Sequence, residues 1–296
     1  MKIAYFIATY KLEQQFEWLF KAIWNPNDIF VIHISQIASG AHVDAIRRIT
    51  AGKPNVHFLP RMQITWGGWS LVEMALNAVR FLCLRPEGWQ YFINLSGQDY
   101  PVRPLDDLRS LLAERAGTNF LQMRHISTQP FHIRRRLHWY CLEHAGQLRR
   151  LPIPNVRAML TPVEWYGGFW GMLTREFCEW LVTSDVTKKY SRALRHTKIP
   201  DEFFFQTIIK QSPFAATLDG NPRRYLRFEP GASGPKTLTC ADLDDIMASK
   251  AFFARKLDES IDVQLLELLA EAIKADMPQR DRKPAAPMPR VAAHAL

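Results

Sequence analysis

The sequence predicts an α/β protein built on a mostly parallel central sheet with helices on both faces. Two observations predict it. Short apolar runs of strand length alternate with helical periodicity through the first hundred residues. One of those runs, Tyr91–Leu95, is nearly all apolar, as expected of a strand covered on both sides.

The elements follow in order. Lys2–Ala8 reads as the first strand, and Leu12–Ile23 as a helix with Phe16, Leu19, Phe20 and Ile23 on one face. Asp28–Ile34 is a second strand, Val43–Ile49 a helix and Val56–Leu59 a short strand. Ser70–Leu84 is a long helix, with Ser70 expected as its N-cap and Glu73 closing a capping box. Tyr91–Leu95 completes a βαβαβαβ order, which implies parallel pairing through crossover helices. Ligands of such sheets bind beyond the carboxyl ends of the strands. Here those ends lead into Ala8-Thr9-Tyr10, Ser35-Gln36 and Ser96-Gly97-Gln98-Asp99. Residues 105 to 165 read as loop-rich and basic, with His125, His132 and His138 among the arginines. Trp170–Leu173 is a further strand, and Glu176–Val182 and Glu202–Lys210 are helices. A helix from Ala241 and another over Val263–Ala275 follow. The Pro- and Ala-rich tail, residues 277–296, cannot pack a core and is expected to be disordered and basic.

Composition narrows the function. The 296 residues are 47% hydrophobic and 23% charged, ordinary for a globular chain. Thirty-eight Lys and Arg against 29 Asp and Glu leave a net charge of +9. That excess suits an anionic ligand such as a nucleotide diphosphate, and more weakly an anionic membrane surface. No aromatic and basic residues interleave as in a single-strand-binding groove, so nucleic acid is not an expected partner. Cys83, Cys141, Cys178 and Cys240 lie far apart without a metal-ligand spacing, so neither a zinc site nor a disulfide framework is expected. The N-terminus runs straight into a strand without a signal-peptide core, and no apolar run approaches the about 18 residues of a membrane span. The expected compartment is the cytoplasm, with the inner membrane face as a peripheral location.

Several segments carry candidate chemistry. In Pro200-Asp201-Glu202, proline suits a first helical turn and two carboxylates lie where the helix dipole favours anions. The apolar run behind them anchors the helix, which makes this pair either a general base at the rim of the core or simple acidic capping. Gln98 and Asp99 place polar groups at the end of a buried strand, or cap a turn there. Trp66-Gly67-Gly68-Trp69-Ser70 is a tight turn into a helix. Asp242-Leu243-Asp244 is a literal DxD, yet Thr239 and Asp242 have the spacing of a capping box, so it reads as structure.

Taken together, these segments resemble the Core-2/I-branching enzyme family, the β-1,6-N-acetylglucosaminyltransferases with the related protein O-xylosyltransferases. The resemblance rests on Trp66–Ser70, on Tyr91–Pro101, on Gly168–Phe177, on Pro200-Asp201-Glu202, and on Gly234–Leu238 with Phe253–Asp258, in the family's order. It implies a GT-A fold over residues 1–276, with a nucleotide-binding half (1–104) and an acceptor and catalytic half (105–276). It implies inverting transfer of GlcNAc or xylose from a UDP-sugar to a hydroxyl, without a metal or other cofactor. Glu202 matches the family's base. Lys236 and Lys256 match two basic side chains that hold the diphosphate, and Arg255 is close enough in sequence to share or take that role. Ala8, Thr9, Ser35, Gln98 and Asp99 fall where the donor nucleotide and sugar are bound. Ser35 stands where members of the family often have an aspartate associated with uracil. Arg134 and Arg135 of the basic loop Arg134–Arg136, with Trp139, Trp165, Tyr166 and Asp201, fall where acceptor contacts are expected, as aromatic faces and arginines suit sugar rings and their acidic groups. At least one of the three arginines reads as a solvated surface group instead, and Trp165 and Tyr166 line the acceptor groove or the core equally well. The resemblance is to a bacterial, cytoplasmic type, for which a glycan or lipid-linked glycan is the expected acceptor. A different nucleotide sugar, or a non-catalytic sugar- or nucleotide-binding role on the same scaffold, stays open.

Overall fold

A computed structural model of the protein describes residues 1–229, 231–232 and 234–276. The expected disordered tail, residues 277–296, lies outside the described residues.

In the first hundred residues β1 (Ile3–Thr9), α1 (Glu13–Ile23), β2 (Ile29–Ile34), α2 (Gly40–Ile49), β3 (Val56–Phe58), α3 (Ser70–Cys83) and β4 (Tyr91–Ser96) alternate as expected. Then come β5 (Asp99–Pro101), α4 (Leu105–Glu114), β6 (Asn119–Leu121), β7 (Arg124–His125), α5 (Phe131–Arg134), β8 (Trp139–His144), β9 (Gln147–Pro154) and α6 (Val156–Leu160). The remainder is β10 (Trp165–Tyr166), β11 (Gly171–Thr174), α7 (Arg175–Thr183), α8 (Asp185–Leu194), α9 (Asp201–Lys210), β12 (Leu218–Asp219), β13 (Arg224–Leu226), α10 (Leu243–Ala248), β14 (Phe253–Arg255) and α11 (Val263–Asp276).

Seven strands form the central sheet in the order β12-β6-β11-β4-β1-β2-β3. Only β11 runs against its neighbours β4 and β6. The other pairings are parallel. Alternation along β1 assigns its two faces to two cores. Ile3, Tyr5 and Ile7 pack with Phe16 and Phe20 of α1, Ile46 of α2, Leu108 of α4 and Leu265 of α11. Ala4 and Phe6 pack with Val79 of α3, Phe177 of α7 and the three phenylalanines of α9. Helices therefore cover both faces, and the halves on either side of residue 104 share one sheet.

Three expectations are corrected. The stretch from 105 to 165 is not mainly loop: it holds α4, a sheet strand and the β8–β9 hairpin. Ser70 does not cap α3; Trp69 occupies that position. The Ser70 hydroxyl instead accepts from the Thr65 N–H at 2.8 Å, and Glu73 accepts from the Trp69 indole N–H. The helix expected from Ala241 begins at Leu243, after a single 3-10 turn over Cys240–Asp242. Thr239 and Asp242 do form the capping box there.

Candidate active site

The strand ends come first. Ser35 N–H donates to Thr9 O and Gly97 N–H to Ala8 O, both at 2.9 Å, so the β1–β2 and β1–β4 ladders continue into the loops. Gly97 sits close against β1: a Cβ there would lie 3.1 Å from Thr9 Oγ1. The Thr9 hydroxyl is itself fixed. It is 2.9 Å from His42 Nε2, and His42 Nδ1 is 3.0 Å from Glu13 Oε1. The backbone N–H at the start of α1, which Glu13 accepts, holds its carboxyl below the usual range, so Glu13 is an acceptor and Nδ1 carries the ring hydrogen. In the neutral imidazole Nε2 then accepts, and Thr9 donates to it. The Ser35 hydroxyl is buried with no hydrogen-bond partner among the described residues. Beside it, Arg61 donates to the Ser35, Gln36 and Ala38 carbonyls at 3.0–3.1 Å.

Around β4 the charges concentrate. Asp99 is fully buried and accepts from Ser96 N–H, from Arg224 at 2.6 Å and from Arg255 at 3.1 Å. The β5–β14 pairing sets Arg255 opposite Asp99, and the parallel β13–β14 pairing brings Arg224 into the same layer. Both guanidiniums stack on the Trp170 ring, 5.0 and 4.2 Å from its centroid. Burial pulls Arg224 down to about 10 despite the Asp99 charge. Asp99 thus acts as the anchor of two arginines. Gln98 Nε2 reaches the Leu257 carbonyl and Asp258 at 3.4 and 3.3 Å. Lys11 pairs with the same Asp258 at 2.9 Å.

Lys256 is half-buried in this cluster. Burial lowers its pKa, and the charges of Arg255 and Lys11 act in the same direction. The segment after Lys236 runs alongside, with Leu238 N–H donating to Lys256 O at 2.8 Å. Lys236 Nζ is held by Asp242, at 3.0 and 3.2 Å. That carboxylate, the first of the DxD, also takes Arg227 at 2.7 Å. Among the described residues no group of three or more His, Cys, Asp and Glu is placed to hold a metal ion.

The carboxylate pair opens α9. Its entry is set by the Trp66–Ser70 turn: Gly67, at φ +72°, accepts from the Ile199 N–H at 2.8 Å. Ile199 has φ +55°, costly for a β-branched residue and held by this contact just before Pro200. Asp201 is buried, with Oδ1 unpartnered among the described residues, and burial together with Glu202 raises its pKa to about 7. Glu202 is partly exposed, and Arg136 donates to its Oε2 at 2.5 Å. Tyr166 adjoins both; burial and the Glu202 charge push its phenol up to about 12.

The two clusters are physically joined. Gly167 N–H donates to Glu202 O at 2.9 Å, and Trp170, beneath Arg255, lies four positions after Tyr166, beside Glu202. Four peptide steps span at most ~14 Å, so the Cα atoms of Tyr166 and Trp170, at the two ends of this link, lie within that distance.

The remaining predicted residues make contacts of their own, away from both clusters. Arg134 and Arg135 are exposed and stack over Phe131. Trp139 is covered by Arg150 at 5.4 Å. Trp165 points away from Tyr166, as strand neighbours do, toward His125 and Lys210. Arg136, Lys11, Arg224 and the Glu13–His42 pair are residues that sequence reasoning did not assign. Arg136 was visible only as the third member of a basic run.

A family model described as Core-2/I-Branching enzyme matches residues 3–248. Human xylosyltransferase 2 is 28% identical over 294 residues, which cover 91% of this chain and 33% of that protein. Human xylosyltransferase 1 is 30% identical over 233 residues, covering 76% of this chain and 24% of that protein. The chain therefore spans a third or less of the length of these relatives. Among solved structures, the galactosyltransferase LgtC in complex with donor and acceptor sugar analogs aligns with a TM-score of 0.46 at 10% identity, over 95% of this chain and 98% of that one. With a match that runs from the first strand through α10, this chain belongs to the Core-2/I-branching enzyme family, a family of glycosyltransferases.

Proposed function

We propose that the protein is an inverting, metal-independent glycosyltransferase that moves GlcNAc or xylose from a UDP-sugar to a hydroxyl of a glycan or lipid-linked glycan. The observation that carries this reading is the short Tyr166–Trp170 bridge between a partly exposed carboxylate and a cluster of cations. Glu202 would take the proton of the acceptor hydroxyl as that oxygen attacks the anomeric carbon. Arg136 occupies Oε2 and leaves Oε1 for the acceptor. On the opposite side of the sugar the UDP leaves with growing negative charge, which fixed cations stabilise most where water is scarce. Lys256, half-buried and without an anionic partner among the described residues, is the cation best suited to it, with Arg255 beside it. Lys236 contributes from its Asp242 tether. The lowered pKa of Lys256 follows from burial first and then from its like-charged neighbours Arg255 and Lys11, all of which an arriving anion would offset. Thr9 and Gln98 line the donor side, and Asp99 serves by fixing Arg255. Tyr166 and Asp201 border the acceptor side.

Replacing the base tests it. Glu202→Gln should reduce sugar transfer by on the order of 10²–10⁴-fold while UDP binding is retained. Unchanged transfer would remove Glu202 from the chemistry.

A further inference from the structure

Beyond the donor and acceptor chemistry, the β8–β9 hairpin and α6 carry an unpartnered face that is both apolar and basic. Leu142 pairs directly with Arg149 across the hairpin, so the two share a face, and Ile153 follows on the same strand as Arg149, within the register shift opposite Trp139–Cys141. These are open to solvent, Leu142 at 41% and Ile153 at 48%. The short helix continues the surface. Asn155 ties it down, accepting from Ala158 N–H and donating to His196 O, and Ala158 turns inward. That leaves Val156, Met159 and Leu160 outward, at 54%, 51% and 80% exposed, with Arg157 exposed among them.

Scattered apolar side chains on a surface are ordinary, but five exposed ones between Leu142 and Leu160 are not. Charge decides what covers them. Residues 145–163 contain Arg149, Arg150 and Arg157 and no Asp or Glu. A second copy docked through the same face would bring like charges together across a two-fold axis. Apolar tips flanked by arginines are instead the composition that lies in the headgroup region of an anionic bilayer. Among the described residues no helix is long and apolar enough to cross a membrane, so such contact would be at the surface. We propose that the exposed surface formed by Leu142, Arg149, Ile153 and α6 docks the protein on anionic lipid membranes.

Vesicle flotation tests this with the full chain, using phosphatidylcholine vesicles with and without phosphatidylglycerol. The wild type should float with the anionic vesicles, weakly with the neutral ones, and less as salt rises. The Met159→Glu/Leu160→Glu variant, altered only at exposed positions, should lose roughly tenfold or more of its partitioning at unchanged melting temperature. Arg47→Gln/Arg48→Gln on α2 removes the same net charge from another surface, and should stay within about twofold of wild type. Equal loss in both variants would reduce the effect to bulk charge and overturn the docking face. Absence of wild-type flotation with anionic vesicles would overturn it as well. So would a concentration-dependent dimer that the Met159→Glu/Leu160→Glu change dissolves, which would give the face to a second copy.

Discussion

Arg136 donates to Glu202 at 2.5 Å from a 3-10 turn 66 residues earlier in the chain, and this pair fixes one of the two carboxylate oxygens. Both groups are partly open to solvent, so the contact orients Glu202 more than it stabilises the fold. Arg136→Gln should lower the transfer rate about 10- to 100-fold through misplacement of the base, with UDP affinity and melting temperature near wild type. A variant with full activity would show that Glu202 needs no such orientation.

Asp201 makes a pH prediction of definite sign. Its carboxyl is buried and raised to about 7, chiefly by burial and then by Glu202. An aspartate in the unfolded chain titrates near 3.9. The folded state therefore holds the proton more tightly, and the stability this contributes is complete below about pH 4 and is lost as pH rises through about 7. Asp201→Asn removes the dependence. Relative to wild type, the variant should gain stability between pH 4 and 8, by about 1.4 kcal/mol for each unit of pKa shift removed. Parallel melting curves for the two proteins across that range would refute the assignment.

Asp99 predicts a large structural cost. Arg224 is 1% exposed and Asp99 is wholly buried, so Asp99→Ala strands a buried guanidinium. Urea unfolding should show a loss of about 3–5 kcal/mol, and Arg255 should lose its anchor and with it UDP affinity. A loss below about 1 kcal/mol would mean water or another group takes over the pairing.

Gly167 connects the two charged clusters with no room to spare. A Cβ there would come 1.9 Å from the Gln122 carbonyl oxygen, which is backbone and cannot swing away. Gly167→Ala should cost about 3 kcal/mol in thermal or urea unfolding, whereas Gly220→Ala, with open space around its Cβ, should cost little.

The alternating first half was legible because each strand is short, apolar and bounded by turn residues; β1 to β4 lie within a residue or two of their expected limits. The hairpin was harder to see. Gln147–Pro154 carries two prolines and adjacent arginines in place of a period-two pattern, and only the two-residue Ala145-Gly146 turn, with both residues at positive φ, marked it. Glu202 could be singled out because proline and the phenylalanines around it are local signals. Arg136 could not be separated from Arg134 and Arg135, since only packing of the adjacent Leu137 turns that position inward. Asp99 meets Arg224 across 125 residues, a pairing of β5 with β13 and β14 that no local pattern announces.

In the proposed mechanism side-chain cations, with Lys256 foremost, hold the UDP diphosphate without a metal. Thermal unfolding of wild type and Lys256→Met with UDP in excess EDTA tests it most directly. At about 100 times its dissociation constant a ligand adds roughly 2.7 kcal/mol, a rise of several degrees for a domain of this size. The wild type should show that rise in EDTA, and Lys256→Met should lose it. A shift that appears only after Mn²⁺ or Mg²⁺ is added, and survives in Lys256→Met, would contradict it.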